Sequence, residues 1–505
     1  MTQIDHQVTN DQLAAQDPTG RLYNHDLAPA TSRQRTWNVY HLFSLWMNDA
    51  HNAGNYTWAA GLFVGLGMSA FDITVGIFAG CLVILGGCVL SGFMGQATGT
   101  PYPVISRITW GVWGANIPAL VRGVVAIAWY GVQTYLASLA LNSILSRAVP
   151  GFRDLSLDSA AHFLGLSLGG WICFLLLSIV QLLIVQKGME VIRHVQGWGG
   201  PIIWVVMLGL MVYFLIKADW SFDWFTGWDG QTQSGGTRMH FILIAMAQTV
   251  GTLATLMLNF SDFTRFSKDR RSVVIGNIIG LPLNWTAFAI TSVITTAAAA
   301  RVLTADIEDI KDPGILIEHV DSSVLFYVFS IGFVFATLGV NIVANFVSAS
   351  FDLSNVNPRR ISFRAGGIIT AVVAVLVTPW NYFNNAIVVG YFLGSLGALL
   401  GPFFGILVVD YYLIRKQRFS IRHMYLPTQE SIYYYNKGVS RLALYALVPA
   451  AVIALCVALV PWFSVIKDFG WFIGAPIAGI LYYLIAKDRT IVLPDDEAQQ
   501  PEPVA

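Results

Sequence analysis

Leu45-Trp46-Met47-Asn48-Asp49-Ala50-His51-Asn52-Ala53-Gly54-Asn55-Tyr56 is the stretch that decides how the rest of the chain is read. It sits inside a long apolar run, 40–65, that is long enough to cross a bilayer, which takes roughly 20 apolar residues. Asn48, Asp49, His51, Asn52 and Asn55 crowd the middle of that run. Each is expensive facing lipid, so the group must face protein or a water-filled cavity. Asn48 and Asn52 are four apart and share a helix face, as do His51 and Asn55. Gly54, with Ala53, marks a place where the helix unwinds and frees carbonyls for an ion or ligand. The competing reading is a polar seam that only glues helices together. Asp49 and His51 are costly choices for glue, and histidine titrates near neutral pH, so this pair is a candidate proton carrier.

Working outward, the whole chain shares the membrane character of that run. Of 505 residues, 55% are hydrophobic and only 11% charged, with a mean hydropathy of +0.61. A soluble domain carries about 25% charged residues. The 29 basic and 29 acidic residues cancel, and no basic stripe suits a nucleic acid polymer. Cys81, Cys88, Cys173 and Cys456 lie in apolar runs and read as small hydrophobes, not disulfides or metal ligands. No secretory signal is recognisable in the polar start.

Twelve spans are expected, near 40–65, 70–92, 120–146, 161–186, 199–217, 239–260, 273–298, 324–349, 366–380, 382–411, 442–463 and 470–486. The ninth is short, with Pro379-Trp380-Asn381 as a tight turn before the tenth. The Gly- and Pro-rich stretch 93–119 reads as a structured loop with a short interfacial piece. If the N-terminus is cytoplasmic, 22 of the 29 Lys and Arg fall inside. Only Arg147, Arg153, Lys217, Arg238, Arg301, Lys311 and Lys467 fall outside, beside the acidic run Asp306, Glu308, Asp309 and Asp312. This is the bias of the positive-inside rule. It places both termini in the cytoplasm and the chain in the cell membrane.

Further polar groups lie inside other spans. Trp129 and Gln133, four apart on the third, pair an indole face with an amide, which suits a flat polar heterocycle; ordinary packing is the equal alternative. On the sixth, Gly251 among Thr249, Thr252 and Thr255 predicts a second helix break, and Asp262 with Arg265 at its end predicts an ion pair acting as a gate or anchor. The eighth carries Asn341 and Asn345 on one face. Interruptions at the first and sixth of ten spans fit two inverted five-helix repeats with a site between them. The expected organisation is a cytoplasmic segment 1–38, repeats at 39–217 and 239–411, two more spans within 440–487, and a flexible tail 488–505.

Several stretches, in this order, resemble the first class of nucleobase–cation symporters, which includes hydantoin, allantoin, cytosine, uracil and purine permeases. They are Asn24-His25-Asp26-Leu27-Ala28-Pro29, Ser44 to Tyr56, Trp129 to Thr134, Asn259 to Phe266, Ala344-Asn345, and Gly401 to Arg415. The resemblance implies an all-α fold of two inverted five-helix repeats plus two helices, and alternating access. It implies a heterocycle stacked on Trp129 and read by Gln133, Asn345 and Asn52, with Gly251 nearby. A second stacking tryptophan is replaced here by Leu253. The sodium site of the family's sodium-coupled member falls on Asn48, His51, Ala336, Gly339 and Val340. Its two hydroxyl ligands are absent, as Gly339 and Val340 stand there.

The resulting expectation is a secondary transporter, not an enzyme, that imports a small neutral planar nitrogen heterocycle. Coupling by protons through Asp49 or His51 is favoured over sodium, with no organic cofactor. A nucleoside or vitamin-like ring carrier is the nearest alternative, and a polytopic channel or receptor-like protein the other. Oligomeric state is not legible in the sequence.

Overall fold

A computed structural model describes residues 9–157, 162–303, 307–383, 386–494 and 498–499. Asp306, the first eight residues and most of the tail after Pro494 lie outside the described residues. Among those described, ten helices are long and apolar enough to span a membrane: Ala70–Thr98, Asn116–Ala148, Leu168–Gln186, Met189–Lys217, Gly235–Thr264, Arg270–Val302, Ser323–Val356, Ser395–Ile414, Arg441–Leu459 and Lys467–Ala486. The other two of the twelve depart from a simple span. The first is split into Val39–Ala50 and Ala53–Leu66. The ninth, Phe363–Leu376, has 14 residues and is followed by the left-handed Thr378 and a short helix, Pro379–Phe383, where a bare turn was expected.

Helix boundaries follow local chemistry. Asn38 caps the first span, its side chain accepting from the Tyr40 and His41 N–H groups. Ser69, Ser167, Ser322, Ser362 and Ser440 cap five others in the same way, satisfying N–H groups that the first turn of a helix leaves unpaired. Small residues then set how closely spans approach. A Cβ on Gly80 would stand 2.6 Å from the Thr249 Cβ, so glycine there lets the second and sixth spans touch. Wider π-turns interrupt three spans, at Ile279–Trp285, Asn341–Val347 and Val409–Ile414; such turns recur at functional sites.

The 93–119 region differs from expectation. The second span runs on to Thr98, and the short helix Tyr102–Trp110 is buried throughout instead of lying at an interface. Arg107 within it is fully buried, donating to Asn355 Oδ1 at 2.7 Å and the Met424 carbonyl at 3.0 Å. Arg122 is buried too, 3.5 Å from Asp352 and 3.1 Å from the Ala344 carbonyl. These two charges are internal struts as well as topological signals.

The expected Asp262–Arg265 pair is not formed. Asp262 accepts from the Tyr102 N–H at 2.8 Å and from Asn259 Nδ2 at 2.7 Å. Arg265 donates to the Asp26 carbonyl at 3.1 Å and lies over the rings of Phe266 and Phe351. Each has a closer partner, and Arg265 holds the polar N-terminal segment. That segment is woven across one face of the bundle. Asn24 Nδ2 reaches Ser354 Oγ and the Pro358 carbonyl, the Phe363 N–H donates to Asp26, and the Ala30 N–H donates to the Gly99 carbonyl. The tail is also engaged at its start, where Arg415 donates to the Ile491 carbonyl.

Candidate functional site

Breaking a helix inside a bilayer strands backbone carbonyls that have no water to turn to. The first span meets this cost with its own amides. Asn52 Nδ2 donates to the Asp49 carbonyl at 2.9 Å, and Asn55 Nδ2 donates to the Asp49 and Ala50 carbonyls at 2.9 and 3.2 Å. Asn52 Oδ1 then accepts from the Asn55 N–H at 2.9 Å, capping the second half. The asparagines that mark this run in the sequence are therefore what allow the break. Gly54 keeps the space open, since a Cβ there would lie 3.3 Å from both Asn52 Oδ1 and Gln133 Nε2.

A cavity of about 40 Å³ lies beside the break, lined by Asp49, Asn52, Asn55, Trp129, Gln133, Thr252, Leu253, Thr255, Leu256, Val340, Ala344 and Asn345. Four spans that are far apart in sequence converge here, and Trp129, Gln133, Asn52, Asn345 and Leu253 are all brought together. Gly251 is not among the lining residues. The helix runs through it without the expected interruption, from Gly235 to Asn259, and its backbone faces Gly397 of the tenth span instead. A larger cavity of about 710 Å³ begins next door, at Ala53, Thr57, Leu136 and Thr337, and extends to Arg147, Arg153, Asp312 and Glu318.

The charged pair of the first span separates. Asp49 faces the small cavity, accepts from Trp285 Nε1 at 3.2 Å, and has no cationic side chain within 4 Å among the described residues. His51 points away. Its ring packs edge-on against Trp204 and Phe288, at centroid distances of 4.3 and 5.1 Å, and neither ring nitrogen has a hydrogen-bond partner.

At the positions carried over from the sodium site, side-chain amides engage backbone carbonyls. Asn48 is wedged between Gly199 and Gly339: its Nδ2 donates to the Ser44 and Gln196 carbonyls at 2.7 and 2.8 Å, and a Cβ on Gly199 or Gly339 would stand 2.6 or 2.8 Å from its Oδ1. The Gly339 carbonyl accepts from Gln196 Nε2 at 2.9 Å. Val340 turns to the cavity, and Ala336 is buried.

Three supporting residues escaped the sequence reading. Gln181, Gln196 and Asn284 are single polar side chains in apolar spans, and each bonds to a site element. The signal that singled out the first span, a costly polar group at membrane depth, applies to them as well.

Known proteins match this chain in sequence and in fold. The family described as permease for cytosine/purines, uracil, thiamine and allantoin matches residues 29–474. An allantoin permease of Bacillus subtilis is 32% identical over 473 residues, covering 94% of this chain and 95% of that protein. A putative allantoin permease of Escherichia coli is 28% identical, covering 93% and 96%. A solved nucleobase-cation-symport-1 transporter, in a closed conformation with bromovinylhydantoin bound, superposes with a TM-score of 0.75 at 23% identity, covering 94% of this chain and 98% of its own. That likeness carries the fold, a twelve-span bundle of two inverted five-helix repeats and two further helices. By a family match that takes in most of the sequence, and by a relative matched nearly end to end, this chain belongs to the permeases for cytosine and purines, uracil, thiamine and allantoin, and is a membrane transport protein rather than an enzyme.

Proposed function

We propose that the chain imports a neutral, planar nitrogen heterocycle of the allantoin, hydantoin or nucleobase type, by symport with protons. One observation carries the substrate reading: an indole (Trp129) and amides from three spans (Asn52, Gln133, Asn345) meet at one buried cavity beside a helix break. An indole face gives a ring a stacking surface, and uncharged amides bind a neutral solute weakly enough to release it. The permeases this chain resembles are named for allantoin, uracil and hydantoin. The cavity of about 40 Å³ is smaller than a ring requires, so binding opens it from the adjoining 710 Å³ space, which serves as the route from outside.

Proton coupling is supported by two features. The places of two hydroxyl ligands for sodium are Gly339 and Val340, and the Gly339 carbonyl is already bonded to Gln196. Asp49 offers a buried carboxylate at the cavity with a single indole donor. Protonation at Asp49 changes the charge beside the substrate and links the proton gradient to uptake. His51, held in an aromatic pocket away from the cavity, is the lesser carrier. We place both termini and the segment 1–38 in the cytoplasm, on the charge bias of the loops.

The test is uptake into liposomes by the purified protein, with uracil, cytosine, allantoin, hydantoin, purines and nucleosides as competitors and each ion gradient collapsed in turn. Loss of uptake with the proton gradient alone is the expected result. Uptake that needs sodium and ignores the proton gradient overturns the coupling, and preference for a nucleoside overturns the substrate class.

A further inference from the structure

The direction in which each amide of the cavity points is fixed by backbone groups, whose donor and acceptor roles are not interchangeable. Asn341 Nδ2 lies 3.0 Å from the Tyr130 carbonyl, as well as 2.9 Å from Thr134 Oγ1 and 2.8 Å from Gln181 Oε1. A carbonyl only accepts, so the nitrogen of Asn341 faces it and the oxygen faces the other way. That oxygen accepts from Asn345 Nδ2 at 2.9 Å. Asn345 therefore commits its nitrogen to the protein, and its oxygen accepts no hydrogen bond among the described residues.

The same logic runs through the first span. Asn52 is locked by a backbone carbonyl on its nitrogen and a backbone N–H on its oxygen. Gln133 must then offer Nε2 to Asn52 Oδ1, at 3.3 Å, which leaves Gln133 Oε1 buried with no donor. Asn55 has turned its nitrogen to two backbone carbonyls. With the Asp49 carboxyl, which keeps an acceptor oxygen in either protonation state, the oxygens of four side chains that line this cavity have acceptor capacity unused. A buried acceptor left without a donor costs about 1–3 kcal/mol, which a solute N–H relieves.

Resting on the reading of this cavity as the substrate site, we propose that it selects solutes by their N–H donors, taking rings with two or more N–H groups in N–H–CO–N–H units, and that Asn341 is the positioning residue that fixes this polarity through Asn345. Carbonyl groups on the solute contribute less: their donors are the remaining hydrogens of the Asn52, Gln133 and Asn345 amides, the Trp129 Nε1–H, the hydroxyls of Thr252 and Thr255 and, when protonated, Asp49, and none of these atoms is a buried group without a partner as Gln133 Oε1 is. The site thus sorts molecules of the same size and flatness by hydrogen-bonding sense.

The experiment is equilibrium binding to the purified full-length protein, with hydantoin and uracil as parents. At a pH low enough to keep every solute neutral, each is compared with the analogue in which ring oxygen replaces N1–H (oxazolidine-2,4-dione and 1,3-oxazine-2,4-dione), which removes a donor without adding bulk, and with its 2-thio analogue, which weakens an acceptor. Oxygen replacement is expected to weaken binding by about 10-fold or more, and sulfur replacement by less than about 3-fold. In Asn341→Ala the parent-to-oxygen-analogue ratio should fall toward one, whereas a merely destabilised protein loses affinity for both equally. If that variant does not fold, the analogue series on the unaltered protein still decides. Binding of a parent with equal affinity for its oxygen analogue, or with greater loss on sulfur replacement, overturns this inference alone. Binding of cytosine or a purine but of neither parent also overturns this inference alone, and no binding of the parents, allantoin, cytosine or a purine overturns the substrate reading beneath it.

Discussion

The first and sixth spans occupy corresponding places in the two repeats, and both carry glycine among small polar residues, yet only the first is broken. The difference lies in what each offers the backbone. At the first, Asn52 and Asn55 supply three hydrogen bonds to the carbonyls of Asp49 and Ala50 and a cap for the next turn. At the sixth, Gly251 stands beside threonines whose hydroxyls are too short to replace lost helical bonds, and Thr249 returns its hydroxyl to the Ala245 carbonyl four residues back. A glycine inside a helix costs only about 1 kcal/mol relative to alanine, less than unpaired carbonyls in an apolar surrounding. The break falls at His51–Asn52, ahead of Gly54, and amides carry it.

The comparison breaks first at Asn52. Asn52→Ala removes the cap, one carbonyl partner and the acceptor of Gln133, and is expected to abolish uptake and lower stability by about 1–2 kcal/mol, read by transport in liposomes and by thermal unfolding. If uptake persists, the break does not depend on its amides. Next, Trp129→Ala takes away the stacking face and should weaken substrate binding by about 10- to 100-fold while insertion stays normal, measured by ligand titration. A milder change sharpens the contrast from the other side. Leu253→Trp gives the sixth span an indole opposite Trp129 and should tighten binding of unsubstituted flat rings by about 2- to 10-fold while excluding rings with bulky substituents; competition assays separate the two effects. Smallest is Gly251→Ala. Its Cβ meets no atom within 4 Å, so uptake should stay within about 2-fold of the parent, whereas Gly54→Ala, crowding Asn52 and Gln133, should reduce it clearly. Equal effects at the two glycines would erase the distinction.

Much of this was legible in the chain. Apolar runs and the spread of Lys and Arg give twelve spans because lipid thickness and loop charge act on local sequence. The amides Asn52, Gln133 and Asn345 stand out because polar groups at membrane depth are costly wherever they occur. The split of Asp49 from His51 follows from spacing alone: residues two apart on a helix do not share a face, and reading them as one pair overlooked this. The break misplaced at Gly251 came from reading glycine without asking what would satisfy the carbonyls. The Asp262–Arg265 pair failed because spacing along a helix says nothing of Tyr102 or Asp26, which approach from elsewhere in the chain. In the chain Gln181–Asn341–Asn345 the two asparagines show their shared face in the sequence, but the bond that joins them to Gln181 on another span, at a π-turn, has no local pattern.

The wedge at Asn48 constrains how such a protein changes over evolutionary time. A serine at 339 brings back a hydroxyl, but its Cβ would collide with Asn48 Oδ1 at 2.8 Å, and Gln196 would still hold the neighbouring carbonyl. The substitutions are epistatic: position 48 must shrink before position 339 can grow. A lineage gaining an alkali-ion ligand along this path takes the steps in that order and one losing it takes them in reverse, and sequences bearing asparagine at 48 together with serine at 339 should be selected against.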